Sequence, residues 1–141
     1  MKIMFLLSII GAILLANDSE RIDNEANFNR AFEHYSKKEY EKARILWEKS
    51  CENNHTKSCF DLALLYESSN YENKNYEKAV NLYDIACNKE HALACNNLAL
   101  MYSNGKGVRK NMRKAKELFE KSCELGISMA CESHKRLNTS I

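Results

Sequence analysis

An all-α solenoid of stacked α/α hairpins is the fold class this sequence predicts, and the positions of its six cysteines are the first reason. Cys51, Cys59, Cys87, Cys95, Cys123 and Cys131 form three C-x7-C pairs that recur every 36 residues. A self-similar period of this size marks stacked supersecondary units, and 36 is close to the lengths of helical-hairpin repeats. The spacing within a pair is the second reason. A continuous helix would separate residues i and i+8 by about 12 Å, whereas a disulfide holds Cα atoms roughly 4.4–6.8 Å apart. The chain must therefore turn back between the two cysteines, so that each pair staples one helix to the next. The third reason is apolar periodicity, which runs on the same 36-residue register.

The first element is residues 1–16. Lys2 gives a positive start, Ile3 to Leu15 is an apolar stretch broken by Ser8 and Gly11, and Ala16 is a small residue suited to cleavage. This pattern is that of a secretory signal peptide. About 13 apolar residues fall short of the roughly 20 that span a bilayer, so no membrane span is expected after cleavage. Export and cysteine content agree, because disulfides persist in oxidising compartments. A secreted or periplasmic location follows. Residues 17–26 are polar and charged without a period and are expected to be a disordered lead-in.

The repeat domain is expected over 27–137, with units at about 27–58, 59–94 and 95–130 and a capping helix at 131–137. In the second helix of each unit, Tyr40, Ala43, Leu46, Trp47, Ser50 and Cys51 are matched by Tyr76, Ala79, Leu82, Tyr83, Ala86 and Cys87. They are matched again by Met112, Ala115, Leu118, Phe119, Ser122 and Cys123. These positions make one amphipathic stripe on a helix. In the first helix, Cys59, Leu62, Ala63, Leu65 and Tyr66 are matched by Cys95, Leu98, Ala99, Met101 and Tyr102. Asn75 and Asn111 stand where a helix N-cap is needed. The first unit keeps Ala31, Phe32 and Tyr35 but has a shorter interhelix connection, which predicts a tighter turn. At the far end His134 and Lys135 replace the apolar pair Leu62 and Ala63, which marks a polar cap.

These features resemble a known group. Gly105-Lys106-Gly107-Val108 followed by Lys114-Ala115 is similar to the glycine loop of Sel1-like repeats, a TPR-like hairpin family. The C-x7-C in every unit behind an export signal resembles the Helicobacter cysteine-rich proteins. The middle unit departs from the loop pattern, with Ser68-Ser69-Asn70 and Asn73-Lys74-Asn75 where glycines are expected, and Asn111 stands in place of Asp. The resemblance implies disulfide-linked α/α hairpins, and it implies penicillin binding with slow β-lactam hydrolysis; such proteins are commonly labelled β-lactamases and tied to antibiotic resistance.

The residues themselves offer little for that chemistry. Ser103-Asn104-Gly105-Lys106 matches the S-x-x-K part of the serine β-lactamase signature, but neither S-D-N nor K-T-G accompanies it. Ser103 and Lys106 are therefore weak catalytic candidates. Cys51, His55 and Cys59, and likewise Cys87, His91 and Cys95, set thiolate and imidazole in close sequence, as a zinc site would. Ile127 replaces the histidine in the third unit and no fourth ligand is evident, so disulfides are preferred and no metal or cofactor is expected.

Net charge is +2, from 21 basic and 19 acidic residues, so no global field draws nucleic acid. The one local asymmetry is Lys106, Arg109, Lys110, Arg113, Lys114, Lys116 and Lys121, a solvated face or a contact for an acidic partner. If the first helices line the concave side, Asn29, Glu33, Phe60, Leu64, Glu67, Asn96, Leu100 and Ser103 point into a groove. Phe60, Leu64 and Leu100 lie off the packing stripe and form either an exposed interaction patch or a contact with an adjacent hairpin. The expected role is binding of a protein or of a peptidoglycan- or β-lactam-like ligand in that groove, or a purely non-enzymatic interaction scaffold.

Overall fold

The computed structural model describes residues 2–139, and among them are seven helices and no strand: α1 (Lys2–Ser36), α2 (Tyr40–Glu52), α3 (Thr56–Glu67), α4 (Tyr76–Asn88), α5 (Ala92–Asn104), α6 (Met112–Glu124) and α7 (Ser128–Thr139). The sequence-predicted architecture of disulfide-linked helical hairpins is the one observed. Met1, the first residue of the expected export signal, lies outside the described residues. The chain divides after His55 into two compact units.

In the first unit α1 pairs with α2. Ala31 and Ala43 are fully buried, and small side chains there let the two helices approach closely. Trp47 fills the space between them, and the Tyr35 ring lies 5.6 Å from its ring and 5.4 Å from that of Tyr40. The α1–α2 connection is short, as its length predicts, and Lys38 adopts a left-handed φ of 62° to make the turn. Residues 17–26, expected as a disordered lead-in, instead continue α1. Asn24 explains part of this. It is buried, its carbonyl accepts from Ser50 Oγ at 3.3 Å, its Nδ2 donates to the Asn53 carbonyl at 3.3 Å, and its Oδ1 accepts from Asn53 Nδ2 at 3.1 Å. Those bonds satisfy polar groups at both ends and fix this turn of α1.

In the second unit α3 to α7 pack in chain order. The two predicted N-caps form: Asn75 Oδ1 accepts from Lys78 N and Asn111 Oδ1 from Lys114 N, each at 3.0 Å. The backbone of each cap is tied back to the preceding first helix, Asn75 N to the Tyr66 carbonyl at 2.8 Å and Asn111 N to the Tyr102 carbonyl at 2.9 Å. The two loops reach this common end by different chemistry. Between α5 and α6, Gly105 and Gly107 take left-handed φ values of 66° and 70°. Between α3 and α4 the equivalent positions are Ser69 and Tyr71. There Tyr71 is buried edge-on against Tyr66, with ring centroids 5.8 Å apart, and the Ser68 hydroxyl accepts from Asn70 N. Aromatic burial and a serine turn replace the glycines.

The turn inside each cysteine pair is the same device repeated. Asn54, Glu90 and Gly126, spaced by 36, all adopt positive φ. The next residues then return to the helix just ended, His55 N to Ser50 O, His91 N to Ala86 O and Ile127 N to Ser122 O, at 2.9–3.1 Å. This is a helix C-terminus closed through a left-handed residue. It brings Cys87 in α4 to Cys95 in α5 and Cys123 in α6 to Cys131 in α7, each pair with Cα atoms 4.7 Å apart. Cys51 and Cys59 are likewise disulfide-bonded.

Candidate binding face on the first helices

Within the second unit α3 and α5 send one stripe inward: Leu62, Ala63, Leu65 and Tyr66 on α3, and Leu98, Ala99 and Met101 on α5 are buried. Leu64 and Leu100 lie off that stripe, one repeat apart, and remain 41% and 42% exposed. Two leucines left open at the same register position are not a packing requirement of the hairpin. Phe60 is half-buried, with its ring stacked on His91 at 4.4 Å and 5.9 Å from Tyr83. Asn96, expected in the groove, is not on the open surface. It is 3% exposed, with Nδ2 donating to Asn97 Oδ1 at 3.4 Å. The smaller Asn96 side chain is enclosed where the bulkier Phe60, at the same register position one repeat earlier, stays half-buried. Asn29 and Glu33 are exposed on α1 in the first unit.

Beside the leucines sits a polar knot that sequence reasoning missed. Glu67 accepts from Tyr83 Oη at 2.9 Å and from Lys106 Nζ at 3.2 Å, while the Lys106 ammonium rests 4.3 Å from the centre of the Tyr76 ring. Burial acts to lower the Lys106 pKa, but the hydrogen bond and charge of Glu67, with Tyr76, outweigh it, and the pKa is raised. Lys106 is thus a firmly charged strut. Burial, with the charge of Glu67, lifts the Tyr83 phenol above its ordinary range, so it keeps its proton at neutral pH and donates it to Glu67, while the Asn97 side chain bonds to the phenol from the other side. No short-range pattern could have signalled a contact spanning 39 residues.

The two catalytic candidates are each engaged elsewhere. Ser103 Oγ donates to the Leu100 carbonyl at 3.0 Å near the end of α5, and Lys106 is held by Glu67. A nucleophile needs a deprotonated base in reach, and a lysine stabilised in its charged form is a poor one. His91 is the N-cap of α5, its Nδ1 accepting from Ala94 N at 3.2 Å, and burial lowers its pKa. Its ring is therefore neutral and structural. His55 lies 3.3 Å from Glu25 and edge-on to Phe28. Among the described residues no group of three or more His, Cys, Asp or Glu is placed to hold a metal ion.

Asp61, also on α3, is lifted to about 6 by burial, with Lys57 pulling the other way. A carboxyl that holds its proton more tightly folded than unfolded makes the native state bind more protons, so stability falls as pH rises from about 4 to about 6. The same register position one repeat on is Asn97, an amide without that cost. Asp61→Asn is expected to raise stability at pH 7 by about 1–3 kcal/mol and to leave it nearly unchanged at pH 4, as read by urea unfolding at both values. Equal stability of the two proteins at pH 7 would mean that the carboxylate is well solvated.

The Sel1 repeat family profile matches residues 24–37, 36–55, 56–91 and 92–127. Among solved structures, Helicobacter pylori cysteine rich protein B is 36% identical; the match covers 65% of this chain and 69% of that one, with a TM-score of 0.62. A Sel1 repeat protein from Oxalobacter formigenes is 26% identical over 79% of this chain and 48% of that one, with a TM-score of 0.73. A third, c5321, described as a protective antigen present in uropathogenic Escherichia coli strains displaying an SLR fold, is 22% identical, with a TM-score of 0.74 over 85% of this chain and 27% of that one. That last likeness speaks to the fold alone. No curated protein sequence matches.

Proposed function

Since the chain belongs to the Sel1 repeat family, as a cysteine-rich member with its hairpins joined by disulfides, we propose that it is an exported, non-catalytic scaffold that holds a segment of a partner protein on the open face of α3 and α5. The observation that carries this reading is the pair Leu64 and Leu100, exposed at one register position of successive repeats beside the rigid Glu67–Tyr83–Lys106 knot. Open apolar side chains on a rigid support are what an interface core requires.

Export is supported by two features. The disulfides point to an oxidising, extracytoplasmic environment. The apolar residues of early α1, from Ile9 at 50% exposed to Leu15 at 73%, are open rather than packed, as suits a segment removed after targeting. Among the described residues no helix is long and apolar enough to cross a membrane.

Selection of displayed random peptides on the oxidised protein tests the binding reading. The parent is expected to enrich binders whose affinity drops at least tenfold, about 1.4 kcal/mol, in Leu64→Ser/Leu100→Ser, with helicity and melting temperature unchanged. A fall in stability of about 2–5 kcal/mol in that variant would instead class the leucines as core. Undiminished binding would move the site off this face.

The slow β-lactam hydrolysis implied by the cysteine-rich resemblance is tested separately, with a chromogenic cephalosporin. Because the Ser103 hydroxyl is bonded to the Leu100 carbonyl and Lys106 is held charged by Glu67, Ser103→Ala is expected to turn over no less than the parent. Turnover that needs the fold and vanishes in that variant would restore an enzyme reading.

A further inference from the structure

The chain contains its own example of how the space beyond a first helix is filled. Next to Leu64 and Glu67, the loop segment Lys106-Gly107 lies against Tyr76: the ammonium sits over the ring and on Glu67, and the glycine is so close that an added Cβ would fall 2.4 Å from the Tyr76 backbone. A short peptide, with a cation matched to a carboxylate, occupies that place.

One repeat later the same register positions are Leu100, Ser103 and Met112. Here they line an open cleft of about 380 Å³ between α5, α6 and α7, floored also by Phe119 and Leu137. Leu100 and Met112 are 42% and 41% exposed on it. The charge is inverted. Ser103 stands where Glu67 stood, and Arg136, on α7, stands where the preceding repeat has Leu100. Lys110 corresponds to Lys74, whose ammonium lies 5.3 Å from the Tyr76 ring centre; Met112 offers no such ring, and Lys110 pairs with no described residue. Arg136 is steadied by donating from Nη2 to Ser133 Oγ at 3.2 Å. Among the described residues the cleft is lined by two cations and no carboxylate.

We infer that this cleft receives an acidic peptide segment of a partner protein, seating one large apolar side chain on Leu100, Met112 and Phe119 while a neighbouring Asp or Glu pairs with Lys110 and Arg136. The preceding repeat supplies the peptide occupancy, and the reversed lining supplies the sign of the charge. A second copy of this chain presenting the same loop would bring Lys106 against two cations, which disfavours self-association here. The inference rests on the scaffold reading and shares Leu100 with it, but Leu64 lies outside the cleft and Lys110 and Arg136 belong to the cleft alone.

The probe is a fluorescent, acetylated and amidated octapeptide of alternating glutamate and leucine, against the same peptide with glutamine for glutamate, titrated by anisotropy. The glutamate peptide is expected to saturate and to weaken as salt rises from about 50 to about 500 mM. It is expected to lose at least tenfold in affinity in Lys110→Gln/Arg136→Gln and in Lys110→Glu, the latter at an exposed site that leaves Arg136 and its bond intact. Arg113→Gln/Lys114→Gln, which removes equal charge outside the cleft, and Leu64→Ser are expected to bind within about threefold of the parent. Failure of the glutamate peptide to saturate, equal binding of the glutamine peptide, or equal loss in both double glutamine variants overturns the inference. Loss in Leu64→Ser with none in Lys110→Glu also overturns it, while leaving the face of α3 and α5 as the binding site.

Discussion

Strong reductant is expected to unfold the oxidised protein at ambient temperature. Each C-x7-C bridge closes a loop of nine residues, for which chain entropy lost by the unfolded state contributes about 2.5 kcal/mol. Three such loops approach the whole stability of a small domain, about 5–15 kcal/mol. The helices cannot persist by themselves once the stack loosens: each is only 12 or 13 residues long from α2 onward, too short to hold without packing. The bridges also differ in access. Cys87 and Cys95 are buried to 1% and 0% exposure, whereas Cys123 and Cys131 are both half-buried. Attack on a disulfide requires that a thiolate reach the sulfur, so Cys123–Cys131 is expected to open before Cys87–Cys95. Far-UV circular dichroism during titration with a phosphine, with alkylation and peptide mapping at each step, reads both outcomes. Full helicity with all six thiols alkylated would falsify the first; alkylation of Cys87 and Cys95 ahead of Cys123 and Cys131 would sink the second.

The period of 36 made most of this fold legible, because it repeats both the packing stripe and the turn. Ala79, Tyr83 and Ala86 are buried where the alignment of stripes puts them, and Asn75 and Asn111 cap the helices they precede. What the period could not carry is contact between residues far apart in sequence. Residues 17–26 look unstructured by composition, yet Asn24 is pinned by Ser50 and Asn53 across a hairpin, and no local rule anticipates that. Lys106 was legible as part of a loop and as half of a weak motif, not as the partner of Glu67. Asn96 was legible as a groove position from its register, which it shares with the half-buried Phe60, yet its smaller side chain is enclosed. The exposure of Leu64 and Leu100 was one of two outcomes the sequence left open, since a leucine off the stripe fits a binding patch and a neighbouring hairpin equally well.

Replacing Gly107 by alanine is expected to cost about 2–4 kcal/mol, lowering the melting temperature by roughly 10 °C. Two effects add. Gly107 has φ of 70°, a conformation that costs an L-residue about 1–2 kcal/mol. Its Cβ would also lie 2.4 Å from the carbonyl carbon and oxygen of Tyr76 and 2.7 Å from its Cβ, and backbone cannot swing aside as a flexible side chain does. The loop must lift from α4, taking Lys106 off Glu67 and the Tyr76 ring. Gly105 separates the two effects. Its φ of 66° is nearly the same, but its Cβ would meet the Lys110 Cβ at 3.2 Å, a contact a small shift relieves. Gly105→Ala is therefore expected to cost about 1–2 kcal/mol, close to the conformational term alone. Lys106→Met removes the ion pair without moving the glycine and shows how much of the Gly107→Ala loss passes through Glu67. Equal destabilisation by Gly105→Ala and Gly107→Ala in parallel thermal and urea unfolding would mean that the loop relaxes freely. Tyr76 would then lose its fixed cover, and the peptide-like packing that gives the last cleft its interpretation would lose its rigid example.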